Sequence, residues 1–298
     1  MASLNSHPAR LQPSLAWAPL VILPAVSIPL RQILAPWIFM WVMAGSIFWG
    51  FKWCASRRAI DRGVATTIFR RAAFLFLWPG MDAVRFFDMN FADEKPVIGE
   101  WLFALAKTAF GAGLMWGVAR SVGNGWVAGW IAIIGFIFLL HFGLFHLLAL
   151  FWRRNDIDAR PIMNWPARAH SLGDFWGKRW NAGFSDFAFT LLFTRLAALM
   201  PPRIATLIIF LFSGLIHEMA VTFPARGGYG LPTVYFTIQG AGMLIERSRL
   251  GSRFKLRRTI RGRVFALSVV ALPILALFPE PFVLRVMVPF FQTIKALP

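Results

Sequence analysis

The chain of 298 residues has a single cysteine, Cys54, so no intramolecular disulfide can form. Its position near a basic span end reads as an inert thiol rather than a palmitoylation site. Acids are scarce, 13 against 31 Lys and Arg, and charged residues together reach only 15%. That is well under the roughly 25% of a soluble domain. There is no Gly-rich phosphate loop and no nucleophile elbow. No grouping of Cys, His and carboxylates suggests a metal. No internal repeat, low-complexity tract or long linker divides the chain, and the repeat is what a transporter built from inverted halves would need.

Apolar residues fill the sequence instead. Hydrophobic residues make up 58%, with 14 Trp and 31 Phe, and the mean hydropathy is +0.61. A bilayer span needs about 20 mostly apolar residues, and such runs recur from end to end. Residues 1–298 therefore read as a single multi-span membrane domain. The net charge of +18 would suggest nucleic acid in a soluble protein. Here the basic residues cluster between spans, at 52–71, 153–179 and 247–263, as in cytoplasmic loops. No nucleic-acid partner is implied. The run at 247–263 is expected to meet anionic lipid.

Putting all three basic loops on one side constrains the topology. The fold class that results is all-α and integral to the membrane. About eight transmembrane helices are expected, at 15–30, 33–52, 101–119, 126–151, 203–223, 231–245, 264–278 and 281–295, with both termini cytoplasmic. Two weaker runs, 64–81 and 187–200, carry Arg70, Arg71 and Arg195 and are expected as interfacial or re-entrant helices. The first span is Pro-rich and is followed at once by another apolar run, so it reads as a span rather than a cleaved leader. The acidic loop 82–100, which includes Asp93, is expected to lie against the cytoplasmic face.

Two segments carry chemistry. Residues 171–181 read SLGDFWGKRWN. On a helix Asp174, Lys178 and Asn181 share one face, with Trp176 and Trp180 on another. Cations, an amide and two indoles at a membrane surface suit a ligand with a phosphate end and a greasy end. They also suit a plain interfacial helix. Residues 210–221 read FLFSGLIHEMAV. His217 and Glu218 are the ionisable residues between Arg203 and Arg226, and such groups at membrane depth usually serve a site or a pathway. Ser213 and Gly214 share the His217 face and leave space there, for a substrate or for a neighbouring helix. Glu218 points elsewhere and is expected to pair with a buried polar group.

SLGDFWGKRWN followed by SGLIHE, with His217 lying 36 residues past Asn181, resembles the membrane-bound O-acyltransferase superfamily. It looks most like the wax-synthase branch, and its WN and HE elements are similar to those of diacylglycerol and sterol acyltransferases. The resemblance covers about 167–246. Lys178 stands where Arg is usual, which keeps the charge and loses bidentate geometry. The resemblance implies transfer of an acyl group from acyl-CoA, a co-substrate rather than a resident cofactor, to a hydroxyl. His217 matches the catalytic base and Asn181 the second catalytic residue. Asp174, Trp176, Arg179 and Trp180 match the motif at the acyl-CoA entrance, and Lys178, Ser213, Gly214 and Glu218 join them as substrate-binding candidates. The chemistry agrees with this. An alcohol needs a base, imidazole serves near neutral pH, and an amide donor stabilises the charge gathering on the thioester carbonyl. Lys178, Arg179 and Arg168 are candidates for the CoA phosphates.

The acceptor expected from this branch is a long-chain fatty alcohol, giving a wax ester. Diacylglycerol, terpenoid or other hydroxyls are the alternative. A proton-coupled transporter using His217 and Glu218 is the rival from another class. His141 and His146 are five apart, about 140° around a helix, so they are no zinc pair, and each is expected to bond a neighbouring helix. His170 reads as a solvated loop residue. Gly111, Gly113 and Gly117 read as a close-packing stripe. The 25 Arg against 6 Lys fit a GC-rich bacterial genome and hence an inner membrane, with the endoplasmic reticulum left open.

Overall fold

The computed structural model describes residues 13–91 and 94–298, with side chains from Trp17 onward. Asp93 lies outside the described residues. The structure is helical throughout, with no strand among the described residues. In chain order the main helices are α1 (Pro13–Ser27), α2 (Pro36–Asp61), α3 (Ile68–Leu77), α4 (Ile98–Ser121), α5 (Gly125–Arg154), α6 (Ala182–Leu199), α7 (Pro202–Ala225), α8 (Leu231–Arg247), α9 (Ile260–Leu277) and α10 (280–293). Six of these, α2, α4, α5, α6, α7 and α9, are long and apolar enough to cross a bilayer. The protein is an integral membrane protein.

Ring contacts mark depth along α2. Phe39 meets Phe223 of α7 at 5.7 Å, and Phe51 meets Phe212 at 6.4 Å. So α7 runs antiparallel to α2 and reaches the far face at its C-terminal end. There Arg31 donates to the Phe223 carbonyl, and Arg226 to that of Arg31. Near the opposite face, Arg58 donates to the Thr190 carbonyl. Arg70 donates to the carbonyl of Asp156, and Arg263 to that of Ala167. The three basic loops are thus bound together on one face, as the charge pattern requires. The acidic loop joins them: Glu100 pairs with Arg153 at 2.8 Å and Arg85 with Asp158 at 3.6 Å.

Three elements differ from simple spans. Helix α3 has only 10 residues, about 15 Å, too short to cross. Helix α6 is long enough to cross, but its Phe184, Phe187 and Thr190 stay beside Phe51 and Arg58 of α2. It therefore keeps to the basic face, as expected for a non-crossing segment. The expected last span is corrected. Helix α10 begins where Arg285 donates to the Ala225 carbonyl and ends where Trp116 and Arg120 donate to the carbonyls of Ile294 and Lys295. Both ends belong to the far face, so the C-terminus lies opposite the basic loops. α10 holds two internal breaks, a π turn and Pro289, and cannot extend as a straight 20-residue rod. The Gly stripe is also narrower than expected. A Cβ on Gly111 would sit 2.3 Å from the Leu139 nitrogen, whereas Gly113 and Gly117 face open space.

Candidate active site

Helix α7 carries His217 and packs on α8 through Gly214. A Cβ on Gly214 would lie 2.8 Å from the Thr233 Cα, so this glycine admits a helix rather than a substrate. Ser213 is buried, and its carbonyl accepts a hydrogen bond from His217 Nδ1 at 2.7 Å. A carbonyl only accepts, so Nδ1 carries the proton and Nε2 keeps its lone pair. The Phe236 ring of α8 covers the imidazole at 4.4 Å. The two small residues expected to bind substrate instead orient the histidine and close the helix pair.

Glu218 pairs with buried polar groups, as expected, and so does not stand among the substrate-binding residues. Its Oε1 accepts from the Thr233 amide at 3.1 Å and from the Thr233 hydroxyl at 3.0 Å, and its Oε2 accepts from the Thr222 hydroxyl. Oε1 caps the first turn of α8, taking one of the backbone amides that a helix leaves unpaired, and Oε2 is held within α7 by Thr222. Glu218 therefore fixes α7 to α8 and is absent from the cavity wall.

The SLGDFWGKRWN segment does not form one long helix. A single turn at Leu172–Asp174, capped by Ser171, passes into a π turn at Phe175–Arg179 and ends. Asn181 then adopts a left-handed conformation, φ 44°, which asparagine tolerates better than most residues. Its Oδ1 accepts from the Phe184 amide at 3.3 Å and caps α6. Its Nδ2 is left to donate. The expected common face of Asp174, Lys178 and Asn181 is therefore absent.

Most of the other motif residues build the segment. Asp174 accepts from Arg179 Nε at 2.6 Å and from the His170 amide at 3.1 Å. Burial alone would raise its carboxyl, but these partners outweigh it and hold it below the usual carboxylate range. Arg179 also donates to the carbonyls of Asn164 and Trp165, so it is engaged by protein groups. Trp176 donates to Gln239 at 3.3 Å and packs on Phe210 and Phe236. Trp180 stacks on Phe175. Leu172 donates its amide to buried Glu246 of α8. Lys178 and Arg168 remain exposed on the basic face, Arg168 over the Trp165 ring.

His217 and Asn181 line one cavity of about 1340 Å³. Its walls are apolar stretches of α2 (Trp41, Gly45, Phe48), of α5 (Phe136, Leu140, Phe145), and the Trp78–Met81 segment after α3. That segment is held by Lys52, whose ammonium is shielded from solvent. It donates to the Gly80 carbonyl at 2.6 Å and lies 3.1 Å from the Phe74 ring centre. Gly183, just after Asn181, comes so close that a Cβ would sit 2.9 Å from the Met81 nitrogen.

One cavity residue was missed from sequence. His141, on α5, lines the same cavity, and its buried Nδ1 has no hydrogen-bond partner among the described residues. The expected interhelical bond exists only for His146, whose Nδ1 is 2.6 Å from Lys107 Nζ. The available signal was an ionisable group inside a span; a test aimed at zinc spacing could not find it.

A profile of the family described as "Membrane bound O-acyl transferase family" matches residues 159–238. A "Long-chain-alcohol O-fatty-acyltransferase" of Simmondsia chinensis is 28% identical over 118 residues, 36% of this chain. The match spans 34% of that protein's length. The profile's range holds both Asn181 and His217, and with the relative it identifies the chain as similar to the membrane-bound O-acyltransferases, of the wax synthase-like kind.

Proposed function

We propose that the protein is an O-acyltransferase that moves an acyl group from acyl-CoA to a long-chain alcohol, giving a wax ester. The observation that carries this reading is a shared cavity: His217 and Asn181, far apart in sequence, face one apolar chamber. In the reaction, His217 Nε2 takes the proton of the alcohol hydroxyl. The alcohol oxygen bonds to the thioester carbonyl carbon, and the carbon–sulfur bond breaks. The proton passes from His217 to the departing CoA thiolate. Asn181 Nδ2 donates to the carbonyl oxygen as it gains negative charge, where one such donor contributes about 10²–10³ in rate. A thioester is already activated, so the path needs no enzyme nucleophile.

The cavity exceeds the roughly 300–1,000 Å³ of ordinary ligand pockets, which suits two long apolar chains. Each buried methylene contributes about 0.8 kcal/mol. Asn181 follows the basic face while His217 lies deeper, so CoA would stay outside with its phosphates near Lys178 and Arg168.

The test uses purified full-length protein in lipid nanodiscs with labelled palmitoyl-CoA and 1-hexadecanol. Wax ester should form. His217→Ala should abolish it while the protein remains monodisperse. Near-normal transfer by His217→Ala would overturn the reading.

A further inference from the structure

We propose that His141 is the second imidazole of this site and binds the hydroxyl of the acyl acceptor, holding it for His217; this rests on the acyltransferase reading above. The first support is depth. Phe136 of α5 meets Trp41 of α2 at 5.9 Å. His141 is five residues further along α5, in the same direction, and so comes to about residue 46 of α2. His217, counted from the Phe223–Phe39 and Phe212–Phe51 contacts, comes to about residue 45. The two imidazoles therefore share one level, on different walls of one cavity. Asn181 adjoins Phe184, which packs on Phe51, one step nearer the basic face. A thioester arriving from that face would meet Asn181 first, and an alcohol would sit beyond it, between the histidines.

The second support is the unspent bonding capacity of His141. Its Nδ1 is buried and has no hydrogen-bond partner among the described residues, and Phe145 packs edge-on to the ring at 5.4 Å. Buried polar atoms are almost always bonded, and an exception asks for a missing partner. The other cavity-lining polar side chains at the basic rim are occupied. Arg70 donates to the Asp88 and Asp156 carbonyls, and Asn155 to that of Phe151. The chemical class of the partner follows from the ring. A neutral imidazole has one donor and one acceptor nitrogen. A hydroxyl is both donor and acceptor, and it satisfies Nδ1 in either tautomer once a turn of the ring about χ2 brings that atom to the cavity the side chain lines. A thioester carbonyl only accepts, and an acyl chain does neither. The hydroxyl bound at His141 retains its proton for transfer to His217 when it donates to Nε2 there and accepts from His141.

The experiment compares wild type, His141→Phe and His141→Gln as full-length protein in nanodiscs, with palmitoyl-CoA and 1-hexadecanol. His141→Phe should raise KM for 1-hexadecanol about tenfold, the worth of one hydrogen bond. KM for palmitoyl-CoA should stay within about twofold. His141→Gln, which restores a donor and an acceptor, should recover most of the loss. Because Phe removes an unpaired buried group, its variant should melt at or above the wild-type temperature. A KM for 1-hexadecanol within about twofold of wild type would overturn the proposal. So would a lower melting temperature with both KM values raised together, the mark of a packing role. If wild type forms no ester, the acyltransferase reading fails on its own, and retention of labelled 1-hexadecanol against hexadecane decides for His141. Preference for the alcohol that disappears in His141→Phe supports it, and equal retention in both proteins overturns it.

Discussion

On the proposed mechanism Asn181 performs two tasks with one side chain, and they can be separated. Its Oδ1 caps α6, the side chain lines the cavity, and the proposed mechanism uses Nδ2 as donor there. Asn181→Asp keeps a good cap and tolerates the left-handed backbone, but it replaces the donor by an acceptor. It should melt like wild type and lose about 10²–10³ in transfer rate. Asn181→Ala should lose the rate and also about 1 kcal/mol of stability with the cap. A fully active Asn181→Asp would remove the amide from the mechanism. Asp174 gives a second case. Its carboxyl is held below the usual range by Arg179 and the His170 amide, so it favours the charged form in the folded protein. The stability it contributes is present above the ordinary carboxylate pKa, about 3.9, and is lost as pH falls through the lower folded value. Asp174→Asn should therefore melt lower than wild type by a constant margin between pH 8 and pH 5. The margin should close below about pH 4. At this scale the sequence displayed which residues were costly at membrane depth but not what each was bonded to. His217 stood out because an imidazole between Ile216 and Glu218 has no solvent. The fate of Glu218, Ser213 and Gly214 depended on Thr233, which enters only when α8 packs on α7.

Between elements, the contact of α7 with α8 governs the site. Gly214 against Thr233 sets the distance between the helices, and Glu218 sets their register by capping α8. Gly214→Ala would drive a methyl into backbone that cannot rotate away. It should destabilise by about 1–3 kcal/mol and slow transfer, because the displaced turn carries His217. Gly113→Ala is the control. It faces open space inside α4, and its effect should be neutral or slightly stabilising. Equal effects at both positions would mean that helix separation does not control the imidazole. Spacing on an ideal helix could not foresee this arrangement, nor the loss of the Asp174–Asn181 face. The π turn at Phe175–Arg179 brings residue i+5 toward residue i and pairs Asp174 with Arg179. The sequence shows no signature for such a turn. The long apolar runs of α2, α4, α5 and α7, by contrast, were readable because a bilayer imposes their length.

Across the whole molecule, charge and hydrogen bonding agree on a single basic face. Arg263 reaches the Ala167 carbonyl, Arg70 that of Asp156, and Lys95 pairs with Asp156. These contacts join the loops directly, so they cannot occupy opposite sides of a bilayer. By the positive-inside rule that face is expected on the cytoplasmic side, from which acyl-CoA would come on the proposed function. The other face gathers Arg31, Tyr229, Arg226 and Arg285 around the α7–α8 turn, and α10 returns its C-terminal end there rather than to the basic face. Single cysteines placed in a Cys54→Ala background separate the two arrangements. A membrane-impermeant maleimide should label His170→Cys and Ser252→Cys only from the cytoplasmic side, since both positions are exposed on the basic loops. Tyr229→Cys and Lys295→Cys, exposed at the other end, should label only from the opposite side. Lys295 is the discriminating position: an eighth full crossing by 281–295 would put it with His170, whereas a helix tied at both ends to Ala225 and Arg120 puts it with Tyr229. Labelling of Lys295→Cys from the cytoplasm would restore the crossing and sever the contact between α10 and the end of α4.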